Sequence, residues 1–99
     1  MPDPDVEVLR AAADRLASLA ARTTGGSWVV RGLLASRPEV VAEFADGGSE
    51  HVAEARARTA EWIRTLSPAL AAPLAGWLRA AARPPVDPKA LAVARAILG

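Results

Sequence analysis

Apolar residues recur at steps of three and four through most of this chain and switch to alternation in one stretch near its middle, and that change of period divides the sequence. Val6, Leu9, Ala13, Leu16 and Ala20 share one side of a helix, with Glu7, Arg10, Asp14, Ser18 and Arg22 opposite. Asp3 before Pro4 supplies a capping carboxylate and then a residue whose missing N–H is no loss, so a helix is predicted over 4–22. Arg10 and Asp14 are spaced to pair on its wet face. Thr23 to Gly26 end it, because glycine tolerates the left-handed backbone at a helix stop. From Ser27 the period becomes two: Trp28 and Val30 alternate with Val29 and Arg31. After a turn around Ser36, Arg37 and Pro38, Val40, Ala42 and Phe44 alternate with Val41 and Glu43. This predicts a two-stranded β-hairpin over 27–45. Trp28, Val30, Val40, Ala42 and Phe44 would face inward, and Arg31 would pair with Glu43 on the outer face. Trp28 is then a structural anchor, pinning the helix-to-strand corner to the core.

Three further helices are predicted, over 50–66, 68–82 and 88–98. Asp46 to Gly48 close the hairpin and Ser49 caps the first of these, whose buried stripe is Val52, Ala55, Thr59, Trp62, Ile63 and Leu66. Glu54 and Arg58 pair on its solvated side. Ser67 and Pro68 start the next helix, with Leu70, Leu74, Trp77, Leu78 and Ala81 inward, and Pro73 must either kink it or delay its regular start. Arg83 to Pro85 break the chain again. Asp87 and Pro88 then repeat the cap-and-proline device, Val86 and Leu91 form a hydrophobic staple, and Leu91, Ala94 and Leu98 form the last stripe beside Val93 and Ile97. The expected fold is α+β: an N-terminal helix, a two-stranded hairpin and three helices, a single sheet layer on helices in one domain over 1–99.

Composition narrows the chemistry. Hydrophobic residues make up 52% of the 99 and charged residues 23%, a globular balance. No apolar run approaches the ~18 residues of a membrane span, and the start MPDPDVE lacks the basic-then-apolar order of a signal peptide, so the expectation is a cytoplasmic protein with no membrane partner. With 0 cysteines there is no disulfide, thiol nucleophile or cysteine zinc site. A net charge of +1 advertises no bulk attraction to nucleic acid or anionic lipid. His51, the only histidine, falls at a predicted helix start beside Glu50 and one turn before Glu54. Such a set can act as a base or bind metal, but it is also what a solvated helix end looks like. Ser27, Ser36, Ser49 and Ser67 sit at corners and caps, and the glycine pairs at 25–26 and 47–48 match no phosphate-binding fingerprint. The sequence therefore assigns no catalytic residue, no metal and no cofactor.

Two surfaces are left as candidates. Arg56, Arg58 and Arg64 are candidate nucleic-acid contacts, although Glu50, Glu54 and Glu61 interleave with them. The helices bearing Trp62 and Trp77 are the candidate protein-contact surface, since so alanine-rich a domain leaves apolar area uncovered even if each indole anchors its element.

Alanine and arginine dominate, Lys89 is the only lysine, and Asn, Gln and Tyr are absent, the bias of a GC-rich genome. The order LRAAADRLASLAARTTGGSWVV, VVAEF, SEHVA, SPALAAPLAGWL and ALAVARAILG resembles a family of small, largely uncharacterised actinobacterial and actinophage proteins. These carry a TPGPW turn after the first helix and a closing ALAVAR helix. More remotely it is similar to the Ead-type early-region proteins of temperate phages. Thr24, Gly26 and Trp28 keep that turn, while Gly25 and Ser27 stand where the family has proline. The resemblance transfers no site residue and implies a phage-linked accessory role. Together these observations lead to the expectation of a non-enzymatic protein-interaction module that binds a host or phage protein, with self-association into a homodimer as one option. The alternative is a small nucleic-acid-binding regulator using the arginine-bearing face.

Overall fold

A computed structural model describes residues 2–32 and 37–99. Its elements run α1 (Pro4–Arg22), β1 (Ser27–Arg31), β2 (Glu39–Glu43), β3 (Ser49–Glu54), α2 (Ala57–Thr65), α3 (Ala71–Ala81) and α4 (Pro88–Leu98). The class is α+β, but the sheet has three strands rather than two. The chain divides into two compact units, one made by the segment through Arg22 with Leu70–Gly99, the other by Thr23–Ala69.

The first unit is helical, with α1 packed on both α3 and α4. Asp3 starts α1 as expected, its Oδ1 accepting from the Asp5 N–H at 2.9 Å. The buried set is Val6, Leu9, Ala12, Ala13, Ala75, Leu78, Ala82, Ala90 and Ala94. Six of these nine are alanine, so helix backbones approach closely and little of the burial comes from large side chains. Leu9 and Leu78 are fully buried, each contributing roughly 1.5–3 kcal/mol. Arg10 does not pair with Asp14: it pairs with Glu7 at 3.2 Å, and Asp14 receives Arg79 of α3 at the same distance. Pro73 delays the helix instead of kinking it. A short 3-10 turn occupies Pro68–Leu70 and regular α-helix begins at Ala71, so the proline lies in the first turn, where its missing N–H has no helical acceptor to lose. Asp87 caps α4 by accepting from the Lys89 N–H at 2.8 Å, and Val86 and Leu91 both pack against the core.

The second unit is a meander, β1-β2-β3, antiparallel throughout, with α2 packed on β1 and β2. In β1–β2, Trp28 lies opposite Ala42, Val29 opposite Val41 and Val30 opposite Val40. The expected turn at Ser36 lies outside the described residues. The segment Ser49–Glu54, predicted from sequence as a helix start, is β3. Ser49 is therefore not a helix cap but the strand partner of Glu43. The cause is a tight three-residue turn: the Gly47 N–H donates to Phe44 O at 3.0 Å, the Phe44 N–H to Gly48 O at 2.9 Å, and Gly47 has φ +88°. That is the hairpin loop in which a glycine in the left-handed region follows a type I turn, and it returns the chain into a new strand. The second predicted helix is shortened to Ala57–Thr65, and Val52 and Ala55 leave its stripe.

Trp28 is a half-buried hook. Its indole N–H reaches back to the Thr24 and Gly25 carbonyls at 3.2 and 3.3 Å, fastening the corner that leads into β1. At the same corner Gly26 has φ +78°, and a Cβ there would stand 2.7 Å from the Glu43 carbonyl oxygen.

Candidate functional site

Three features carry chemistry on the surface, the first two of them in the second unit. The first is the outer face of the sheet. Strand alternation places Ser27, Val29 and Arg31 of β1, Glu39, Val41 and Glu43 of β2 and His51 of β3 on one side. Arg31 bridges to Glu43 as expected. The register shows that this pair is not directly opposite, since Arg31 faces Glu39 and Glu43 faces Ser27. The Val29–Val41 pair lies between them in the register, and Val41 is only 4% exposed. His51 Nδ1 lies 2.7 Å from Glu39 Oε2. The carboxylate beside the histidine is thus Glu39 from a neighbouring strand, and not Glu50 or Glu54. Both members of that pair are well exposed, and such surface contacts contribute at most about 1 kcal/mol. Among the described residues no three metal-ligating side chains come together.

The arginines are the second feature. Arg56 immediately precedes α2, Arg58 lies in its first turn and Arg64 near its end, all exposed. They do not form one face: Arg58 and Arg64 are separated by about 120° around the helix at roughly 100° per residue, and Arg64 is engaged by Glu61 at 3.5 Å. The expected Glu54–Arg58 pair is absent because Glu54 belongs to β3, where it meets Arg37 at 3.4 Å. Arg37, Pro38, Glu54, Ala55 and Arg56 line an open depression of about 410 Å³ with charges of both signs on its rim. Among the described residues Arg56 and Arg58 form no ion pair.

The third feature is apolar. Trp62 is 67% exposed and Leu66, one turn later, 48%. Sequence periodicity puts Trp62 on the buried stripe of a helix begun at residue 50; with the helix begun at Ala57, Ala60 and Ile63 turn inward and Trp62 is carried outward. In the helical unit Trp77 is 45% and Leu70 39% exposed, so this indole is not a core anchor either. Trp28 is half-buried and fastens its corner through the Thr24 and Gly25 carbonyls, and it is not one of the buried core residues. Periodicity alone misses the His51–Glu39 contact, which depends on recognising β3. No helix among the described residues is long and apolar enough to cross a membrane. No family model, curated protein or solved structure matches the chain.

Proposed function

We propose that this chain is a non-enzymatic protein-interaction module, a cytoplasmic accessory protein of phage or prophage origin that binds another protein chain. The phage attribution rests on the sequence resemblance alone. The interaction reading rests on one observation above the rest: two of the three tryptophans expose about half or more of their surface, on different helices, each with an exposed leucine at one end of its helix. Indoles are the residues most enriched at energetic centres of protein interfaces. An affinity pull-down of the tagged chain from a host lysate, treated with nuclease and read by mass spectrometry, tests it. Retention of a specific protein by the wild type and its loss from a Trp62→Ser variant support the reading. Recovery of nucleic acid alone overturns it.

One observation favours a second reading as a nucleic-acid-binding regulator: among the described residues, Arg56 and Arg58 stand exposed and without an ion pair at the start of α2. Under that reading binding weakens steeply with salt, whereas affinity unchanged over a tenfold salt range eliminates it.

A further inference from the structure

The two edges of the sheet differ. β3 carries Glu50, His51 and Glu54 and an irregular register against Val40 and Val41, the devices that keep an edge from pairing. β1 runs in unbroken register over Ser27–Arg31, with no proline, lysine or bulge. The pattern in β2 fixes which backbone groups of β1 are free. The Phe44 N–H donates to Gly48 O, and the Ala55 N–H to Pro38 O at 3.2 Å. Even-numbered residues of β2 therefore direct their polar groups toward β3, and Glu39, Val41 and Glu43 direct theirs toward β1. Arg31, Val29 and Ser27 are satisfied by those partners. The N–H and C=O groups of Trp28 and Val30 point out of the sheet.

We propose that a second copy of this chain pairs antiparallel with β1 about a two-fold axis at Val29, joining two sheets into one of six strands. This rests on the reading of the chain as a protein-interaction module and names its partner. In that register Trp28 meets Val30 of the second copy as a hydrogen-bonded pair, and the symmetry repeats the contact, so the outward backbone groups of both residues, which have no backbone partner among the described residues, are all used. An aromatic against a β-branched residue is a favourable cross-strand pair. Charge is complementary as well. Arg31 falls opposite Ser27 of the second copy, beside that copy's Glu43 on the same face, and no two like charges meet. The helices fit too: α2 contacts both β1 and β2 and so lies over the space between them. The axis then sets the two α2 helices about two strand spacings apart, roughly 9–10 Å, the separation of packed helices. Trp62 stands exposed on that helix and Leu66 just past its end.

The native chain contains 0 cysteines, so Val29→Cys introduces a single thiol. At the axis Val29 meets itself in a non-hydrogen-bonded position, where Cα atoms lie about 4.5 Å apart, inside the range a disulfide spans. Mild oxidation is expected to link Val29→Cys chains at least about tenfold faster than Glu50→Cys chains, whose thiol lies on the other edge. In sedimentation equilibrium the wild type is expected at twice 10.3 kDa. Val29→Lys opposes two ammonium groups at the axis and should raise the dissociation constant at least about tenfold, while Val29→Thr leaves it near the wild-type value. If Val29→Lys does not fold, the cysteine comparison decides. Equal cross-linking at both edges, or a wild type that stays at 10.3 kDa up to about 1 mM, overturns the inference. A monomer that still captures a different protein after nuclease overturns this inference alone, and a monomer that captures none overturns the interaction reading with it.

Discussion

Gly25 and Gly26 are adjacent, look interchangeable in sequence, and should respond to the same substitution with opposite signs. At Gly26 two costs add. Its φ of +78° is a conformation in which an L side chain costs roughly 1–2 kcal/mol. The new Cβ would also stand 2.7 Å from the Glu43 carbonyl oxygen and 3.0 Å from the Phe44 ring. The ring can turn aside, but the carbonyl belongs to the middle strand, so the corner or β2 must move, an overpacking cost of about 1–3 kcal/mol. Gly26→Ala should therefore lose roughly 2–5 kcal/mol. A Cβ on Gly25 meets nothing within 4 Å and faces no left-handed strain, so Gly25→Ala should gain up to about 1 kcal/mol by restricting the unfolded chain. Urea unfolding followed by far-ultraviolet circular dichroism measures the gap, and Gly26→Asn separates the two costs, because asparagine tolerates the left-handed region yet carries the same Cβ. If Asn is markedly better than Ala, strain dominates; if both are equally poor, the contact with Glu43 does. Two alanine variants agreeing within about 0.5 kcal/mol would refute the reasoning, since that is near the noise of such measurements and no folded-state difference would survive it.

Other substitutions test the remaining parts of the structure. Trp28→Phe keeps most of the bulk but removes the N–H that reaches Thr24 and Gly25, and should cost about 1 kcal/mol in urea titration, with Trp28→Ala costing about 3 kcal/mol or more. Leu9→Ala opens the alanine-rich helical core at one of its few large side chains and should lose about 2–5 kcal/mol, seen as a lower unfolding midpoint. Trp62→Ser should change stability by less than about 1 kcal/mol while abolishing capture of the protein partner, because an indole this exposed contributes little to the fold. Arg56→Asp should raise stability by about 0.5–2 kcal/mol: residue 56 has the extended backbone of an N-cap, makes no capping hydrogen bond, and precedes a first turn with no acidic residue.

The ends of the chain are legible from sequence because local signals agree there. At Asp3–Pro4 and Asp87–Pro88 the cap, the proline and the apolar period beyond them all indicate a helix at one place, and α1 and α4 begin where those signals put them. The middle is not, because Asp46 to Gly48 look like the end of a hairpin when they open its next arm. The segment after this turn, SEHVAE, holds two polar-flanked apolar residues, and the irregular register at Val40 and Val41 removes the clean alternation that would mark a strand. The same error displaces the candidate site. With the helix start moved from 50 to 57, His51 acquires Glu39 as its neighbour, Glu54 leaves Arg58 for Arg37, and Trp62 turns from core to surface. Trp62 and Trp77 are both exposed, where periodicity places them on buried stripes.

Helix α2 is where levels of organisation that agree in α1 come apart. It is short at nine residues, uncapped, carries a cation in its first turn where the helix dipole opposes one, and buries only Ala60 completely. Its largest side chain faces solvent. A helix so built gains its order mainly from packing on β1 and β2 and belongs to the low-stability end of the structure. Local choices that conflict with the fold are expected at sites shaped by something other than stability. In α1 caps, charges and burial are mutually consistent; in α2 they are not, and the conflict coincides with the exposed Trp62. Covering that indole with another protein surface would remove apolar area from water and stabilise the helix in one step. The weak design of α2 and the exposure of Trp62 then have a single physical cause.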